Sequence, residues 1–241
     1  MKPDILIVVA ALDEADRITS TLAALASAFP GAPVWVADDG STDATPELAR
    51  TAGATVARSE RVIGKGQAMT VGVRAALAWG GADEAIVVLC DGDLGESARE
   101  LSALVDALYA GGTDLAVAAF ATRVGGGFGL ALSFARWAIR RRCGLATRAP
   151  ISGQRALRAG VARDVLPFAA GFGMEIGMTI DAVRAGHRLI EVDLDLAHRT
   201  TGRTPAGFAH RARQLADFVR VYFARGRVSS PKALTRRRRL R

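Results

Sequence analysis

Cysteine, tyrosine and lysine are scarce in this chain: 2 Cys, 2 Tyr and 3 Lys among 241 residues, with aromatic residues at 6%. Two cysteines cannot make a disulfide framework, so Cys90 and Cys143 point to a reducing cytoplasm. No uncharged apolar run reaches the roughly 18 residues of a membrane span. Internal repeats are absent, and a 50% hydrophobic composition with 23% charged residues excludes disorder and collagen-like structure. The apolar run from Ile5 to Leu12 follows Asp4 and ends at Asp13-Glu14 without a cleavage site, so it reads as a buried strand and not a signal peptide. Acidic residues are nearly missing from the carboxy-terminal arm. From Arg199 onward there are 13 Arg or Lys against Asp217 alone, a charge of +12. With a net charge of +8 overall, residues 1–198 carry −4. A broad nucleic-acid-binding face on the body is thereby excluded, and no aromatic platform accompanies the basic tail, so no specific nucleic-acid partner is expected. Arg supplies 29 of the 32 basic residues, which together with abundant Ala reads as a G+C-rich coding bias.

What remains is a regular alternation of strands and helices. Ile5–Ala10 is a continuous β-branched strand, and Asp13-Glu14-Ala15-Asp16 opens a helix to about Phe29 with an acidic first turn. Val34–Ala37 is a second strand, followed by Ser41-Thr42-Asp43 as the cap of a helix to about Ala52. Ala54–Ala57, Ala85–Cys90, Leu115–Ala121 and Leu189–Leu194 are further strands. Helices are expected from Gly64-Lys65-Gly66 to Trp79, over Glu96–Ala110, Phe128–Arg142, Glu175–Ala185 and Phe208–Ala224. This alternation predicts a doubly wound α/β sheet, with ligands bound beyond the carboxyl ends of its strands.

Two strand ends are acidic. Asp91-Gly92-Asp93 places two carboxylates around one small residue, a pattern that offers oxygen ligands to a hard divalent cation or makes a solvated turn. Asp38-Asp39-Gly40 can accept hydrogen bonds from a base or ribose hydroxyls, while Ser41 to Asp43 cap the next helix. Gly64-Lys65-Gly66-Gln67-Ala68 sets a cation between glycines at a helix start, which favours phosphate. It has neither the P-loop spacing nor the dinucleotide fingerprint.

In this order, Val9-Ala10-Ala11-Leu12-Asp13-Glu14, the D-D-G-S-T-D run, G-K-G-x-A and D-G-D resemble glycosyltransferase family 2 with its GT-A fold. Ser152-Gly153-Gln154-Arg155, Gly173-Met174-Glu175 and His198-Arg199-Thr200-Thr201-Gly202-Arg203 extend the resemblance over roughly residues 4–203. The branch it resembles holds the polyprenyl- or dolichyl-phosphate sugar synthases and the glucosyl-phosphoglycerate synthases. Ala10 and Asp13 replace the usual Pro and Asn, and Gly95-Glu96 stand where a Gln often follows the D-x-D.

The resemblance implies a mostly parallel sheet with helices on both faces and an inverting, metal-dependent transferase. Ala11, Leu12, Glu14, Asp38, Asp39, Lys65, Asp91 and Gly92 would bind the nucleotide-sugar donor. Asp91, Asp93 and His198 would hold Mg²⁺ or Mn²⁺. Glu175 and Asp93 would be the catalytic carboxylates, and Gln154, Arg155, Arg199 and Arg203 would hold the acceptor or phosphate. The expected acceptor is a polyprenyl phosphate at the cytoplasmic membrane face; a soluble phosphorylated molecule and a non-catalytic membrane adaptor are the alternatives. If the acceptor is a hydroxyl, Glu175 takes its proton; if it is a phosphate anion, no base is needed. The expected organisation is a transferase domain over 1–203, a helix over 204–228 and a basic tail over 229–241. The Phe128–Arg142 helix and the tail offer an anionic membrane surface as partner, a homodimer contact, or a core-packed helix with a solvated tail.

Overall fold

The computed structural model describes residues 4–80, 82–120, 130–196 and 205–226. Seven strands form one sheet: β1 (Ile5–Ala11), β2 (Val34–Asp38), β3 (Thr55–Arg58), β4 (Ile86–Asp91), β5 (Leu115–Phe120), β6 (Arg155–Arg158) and β7 (Leu189–Leu194). Their order is β3-β2-β1-β4-β6-β5-β7. All neighbours are parallel except β6, which runs antiparallel to both β4 and β5. The helices are α1 (Ile18–Ala28), α2 (Thr45–Thr51), α3 (Lys65–Trp79), α4 (Ser102–Tyr109), α5 (Leu130–Cys143), α6 (Ala159–Val165), α7 (Met174–Arg184) and α8 (Pro205–Ala224), with 3-10 segments at Gly95–Leu101 and Gly171–Gly173.

Strand β1 is central because its side chains are apolar in both directions. Leu6 to Val9 are fully buried, with Ile7 and Val9 in the core under α1 and α4, and Leu6 and Val8 in the core under α3, α6 and α7. A sheet covered on both faces needs such continuous apolar strands. A smaller third cluster, with Ala135, Ile139, Ile176, Ile180, Phe218 and Val221, joins α5, α7 and α8.

Two helix starts differ from the sequence expectation. Helix α1 begins at Ile18, without an acidic first turn. Asp13 has φ 54, a left-handed backbone that Asp and Asn tolerate better than most residues. Asp13, expected in the first turn of α1, and Asp43, expected at the start of α2, instead stitch the two loops together. The Asp13 carboxylate accepts from the Thr42 amide at 2.7 Å, and the Asp43 carboxylate accepts from the Ala15 amide at 3.1 Å. Helix α2 starts at Thr45, and Ser41 does not cap it: its hydroxyl receives the Asp13 amide at 3.0 Å. Strand β6 and helix α6 went unrecognised in sequence. The first is only four residues long and carries an arginine at each end, so neither apolar length nor alternation marks it.

Candidate active site

The carboxyl ends of β1, β2 and β4 open into a cleft of 460 Å³. Ala11, Leu12, Glu14, Asp39, Lys65, Asp91, Gly92, Asp93 and Glu175, all singled out in the sequence, line it together. Ile151, Phe172 and Gln214 line it too, and nothing in the sequence marked them. They come from the loop before β6, the 3-10 segment before α7, and α8. A larger hollow of 580 Å³ lies at the opposite, amino end of β1 and has no lysine or paired carboxylates around one glycine, so the chemistry belongs to the smaller cleft.

Helix α1 fixes the Asp91-Gly92-Asp93 turn. The Gly92 amide continues the β1–β4 ladder by donating to the Ala10 carbonyl at 2.8 Å. The Thr21 hydroxyl donates to the Gly92 carbonyl and accepts from the Gly95 amide, each at 2.8 Å. Arg17 donates to the Asp93 carbonyl at 3.0 Å. The turn is thus a rigid platform and not a free loop.

Lys65 opens α3 and Glu175 lies in the first turn of α7, so two helix amino termini begin at the cleft, where they favour negative charge. The Lys65 ammonium bridges the two halves of the site, 2.7 Å from Asp91 Oδ1 and 2.8 Å from Glu175 Oε1. Burial works to lower its pKa, but the Asp91 and Glu175 carboxylates outweigh burial and raise it above the ordinary lysine value. Gln154 donates from Nε2 to the other Asp91 oxygen at 2.9 Å. Gly153 permits this convergence: a Cβ there would sit 2.7 Å from Lys65 Nζ and 2.9 Å from Asp91 Oδ2. Gly66 similarly lets α3 start against the chain before α7, since its Cβ would fall 1.8 Å from the Ala169 carbonyl oxygen.

Several expected ligand contacts take other forms. Asp38 does not reach the cleft: it is fully buried, accepts from the Ser41 amide and hydroxyl, and has Arg58 Nε at 3.2 Å. Asp39 lines the cleft, but its carboxylate receives the Ile63 amide at 2.7 Å and the Gly64 amide at 3.0 Å, holding the loop that leads into α3. Gln154 is 3% exposed and holds Asp91. Arg155 is fully buried; its Nε donates to the Ser152 carbonyl at 2.8 Å and Nη1 to the Thr179 hydroxyl at 3.0 Å, while Nη2 has no partner. Desolvation lowers its pKa to about 10. Arg155 therefore ties the loop before β6 to α7 from below and presents no guanidinium to an acceptor. His198, Arg199 and Arg203 lie outside the described residues.

The chemistry of the donors suits a hard cation that keeps open positions. Asp91 and Asp93 offer carboxylate oxygens on a fixed turn, and among the described residues no group of three His, Cys, Asp or Glu side chains is assembled to enclose a metal. Mg²⁺ and similar ions are commonly held this way, by one or two carboxylates with substrate phosphates and water completing the shell.

A family model for glycosyl transferase family 2 matches residues 6–165. The chain belongs to glycosyl transferase family 2. It is a glycosyltransferase with the GT-A fold. Glucosyl-3-phosphoglycerate synthase from Mycobacterium tuberculosis, in complex with Mn²⁺, uridine diphosphate and glucosyl-3-phosphoglycerate, is 27% identical with a TM-score of 0.75, over 95% of this chain and 82% of that one. The same enzyme with Mn²⁺, UDP-glucose and phosphoglyceric acid gives 26% identity and a TM-score of 0.74, over 95% of this chain and 81% of that one. A mycobacterial protein of known crystal structure is 29% identical with a TM-score of 0.72, over 92% of this chain and 74% of that one. No curated protein matches the chain. Among the described residues of this family 2 member, no helix is long and apolar enough to cross a membrane.

Proposed function

We propose that the chain transfers a sugar from a nucleoside-diphosphate sugar to a phosphorylated acceptor, with Mg²⁺ or Mn²⁺ held by Asp91 and Asp93. One observation carries the reading: two carboxylates on a fixed turn, a half-buried lysine and a third carboxylate share one cleft at the carboxyl ends of the strands. The Mycobacterium tuberculosis enzyme with Mn²⁺ and UDP-glucose supports the same donor class and cation here. When bound, the cation neutralises the diphosphate and stabilises it as a leaving group.

The chain's own residues do the rest. Ala11, Leu12 and Glu14 form the wall on which the nucleoside rests, and Asp39 keeps the neighbouring loop in place. Lys65 presents its ammonium to the donor phosphates while its hydrogen bond to Glu175 Oε1 holds that carboxylate in place. Glu175 takes the proton of an acceptor hydroxyl as the oxygen attacks the anomeric carbon, and this single displacement inverts the centre. Gln154 and Arg155 position: the first fixes Asp91, the second fixes the loop carrying Gln154. The Mycobacterium tuberculosis complexes with phosphoglyceric acid and with glycerol 3-phosphate favour a soluble source for the acceptor phosphate. A face of exposed aromatic and arginine side chains on α5 and α8 favours a lipid-linked source at the cytoplasmic membrane surface.

The test is thermal unfolding with UDP-, GDP- and dTDP-sugars, each with Mn²⁺ or with EDTA. One nucleotide class raises the stability only with metal, by about 2.7 kcal/mol at a hundredfold excess over its dissociation constant, and Asp93→Ala removes that gain while folding normally. Transfer is then read with phosphoglyceric acid in solution and with polyprenyl phosphate in detergent, which separates the two acceptor sources. No stabilisation by any donor overturns the reading.

A further inference from the structure

Helices α5 and α8 bury one side against α7 and leave the other side open. Four aromatic rings form a connected cluster that runs from Phe134, packed against the buried core, out to the exposed Trp137 and Phe223. Phe134 lies 5.5 Å from Trp137 and 6.2 Å from Tyr222, Trp137 lies 4.8 Å from Tyr222, and Tyr222 lies 5.3 Å from Phe223, centroid to centroid. Three large apolar side chains of this surface are in water: Leu130 is 72% exposed, Phe223 71% and Trp137 48%. Isolated exposed apolar residues are ordinary, but a contiguous aromatic patch on a protein surface marks an interaction site.

Positive charge predominates around the patch, and the nearby acids Asp217 and Asp181 are each paired with an arginine. Arg136, Arg140 and Arg141 are exposed on α5, Arg220 is exposed on α8, and the Arg142 guanidinium stacks 3.7 Å above the Tyr222 ring. Helix α5 has no acidic residue. The single acid of α8, Asp217, accepts from the Phe172 amide at 3.1 Å and pairs with Arg220. Residues 227–241, which follow α8 in the sequence, contain seven Arg or Lys and no acid. Along α8, Gln214 at the cleft and Tyr222 in the patch are eight residues apart, about 12 Å at the usual helical rise.

We propose that this α5–α8 face docks on an anionic lipid bilayer. Tyr and Trp rings sit at the headgroup level, and arginines lay their stems along the apolar boundary while their guanidiniums meet lipid phosphates. The two signals act together, because an apolar patch or a polybasic segment alone gives weak and reversible attachment. A second copy of the chain is the poorer occupant, since a two-fold contact sets the same arginine cluster against itself. The proposal does not depend on which acceptor the enzyme uses.

The experiment is co-sedimentation of the full chain with phosphatidylcholine vesicles, with and without phosphatidylglycerol. Binding is expected with phosphatidylglycerol present and is lost in its absence or at high salt. Trp137→Ala with Phe223→Ala lowers the partition coefficient about tenfold or more. Arg140→Gln with Arg141→Gln lowers it about fivefold per arginine removed. Both double variants keep the parent unfolding temperature and the donor-dependent stabilisation, so failure here is distinct from failure of the transferase reading. Absence of binding to phosphatidylglycerol vesicles overturns the proposal, as does unchanged binding in both double variants. A change from dimer to monomer in the aromatic variant by sedimentation velocity, with vesicle binding intact, also overturns it and assigns the face to a second copy.

Discussion

From β3 to β4 the sheet consists of four parallel strands, each followed by a helix, and each strand end lies next to the loop that the same strand feeds. Beyond β4, strand β6 runs against its neighbours on both sides, and the residues that reach the cleft come from the loop before β6, from α7 and from α8. The first half holds Asp91 and Asp93 by backbone continuity: β1, β4 and Thr21 of α1 leave the turn little freedom. The second half holds Glu175 through side chains, with Lys65 linking it to Asp91, and Gln154 and Arg155 bracing the same carboxylate and helix. The two halves meet at Asp91, which Lys65 links to Glu175 and which Gln154 also bonds.

The sharpest way to break this comparison is to remove the second half's reacting group. Glu175→Gln keeps the amide close in size to the carboxylate and lowers kcat about 10²- to 10⁴-fold with a hydroxyl acceptor, while metal-dependent donor stabilisation persists. Steady-state transfer rates beside donor-dependent unfolding curves check this, and an unchanged kcat would remove Glu175 from the base role. Next in size is the seam between the halves. Gly153→Ala places a methyl between Lys65 and Asp91 and displaces them, with a loss of about 10²-fold in kcat/KM and a destabilisation of about 1–3 kcal/mol, read by kinetics and urea unfolding.

The smallest effect lies wholly in the second half and away from the cleft. Burial works to raise the Glu191 pKa, but hydrogen bonds from Thr147, Ala149 and Arg148 outweigh it and hold the carboxyl below its ordinary value. A carboxyl depressed on folding contributes stability above its unfolded pKa and loses it as pH falls through the folded pKa. Glu191→Gln therefore costs about 1 kcal/mol near neutral pH, and the difference from the parent vanishes in acid. Unfolding free energies from pH 7 down to pH 3 follow the effect, and transfer kinetics stay unchanged.

Legibility in the sequence follows the same division. The strands from Ile5 to Asp91 were readable because a strand buried on both faces must be continuously apolar, and the acids that end such runs stand out. Asp91 and Asp93 stand out for that reason, Lys65 by its place between two glycines at a helix start, and Glu175 through its place in the family motif. Asp38 and Asp39 look equivalent in sequence, yet one is sealed by Ser41 and Arg58 and the other spans to the Ile63 and Gly64 amides. Arg155 reads as a phosphate ligand until its burial is seen. Gln214, Phe172 and Ile151 carry no local signal, because nothing in a glutamine or an aliphatic side chain tells which surface it will meet. Half of the α5 expectation survives: Trp137 faces outward, but Ile139 is buried in the cluster shared with α7.

The sequence by itself determined the α/β alternation, the acidic strand ends and the concentration of positive charge after residue 198, since these depend on periodicity and local residue type. Only the tertiary structure decided which carboxylate faces the cleft, that Lys65 links Asp91 to Glu175, and that α5 and α8 pool their rings and arginines on one surface. Those outcomes depend on contacts between residues far apart in the chain, whose geometry is set when the helices pack and not by any single segment.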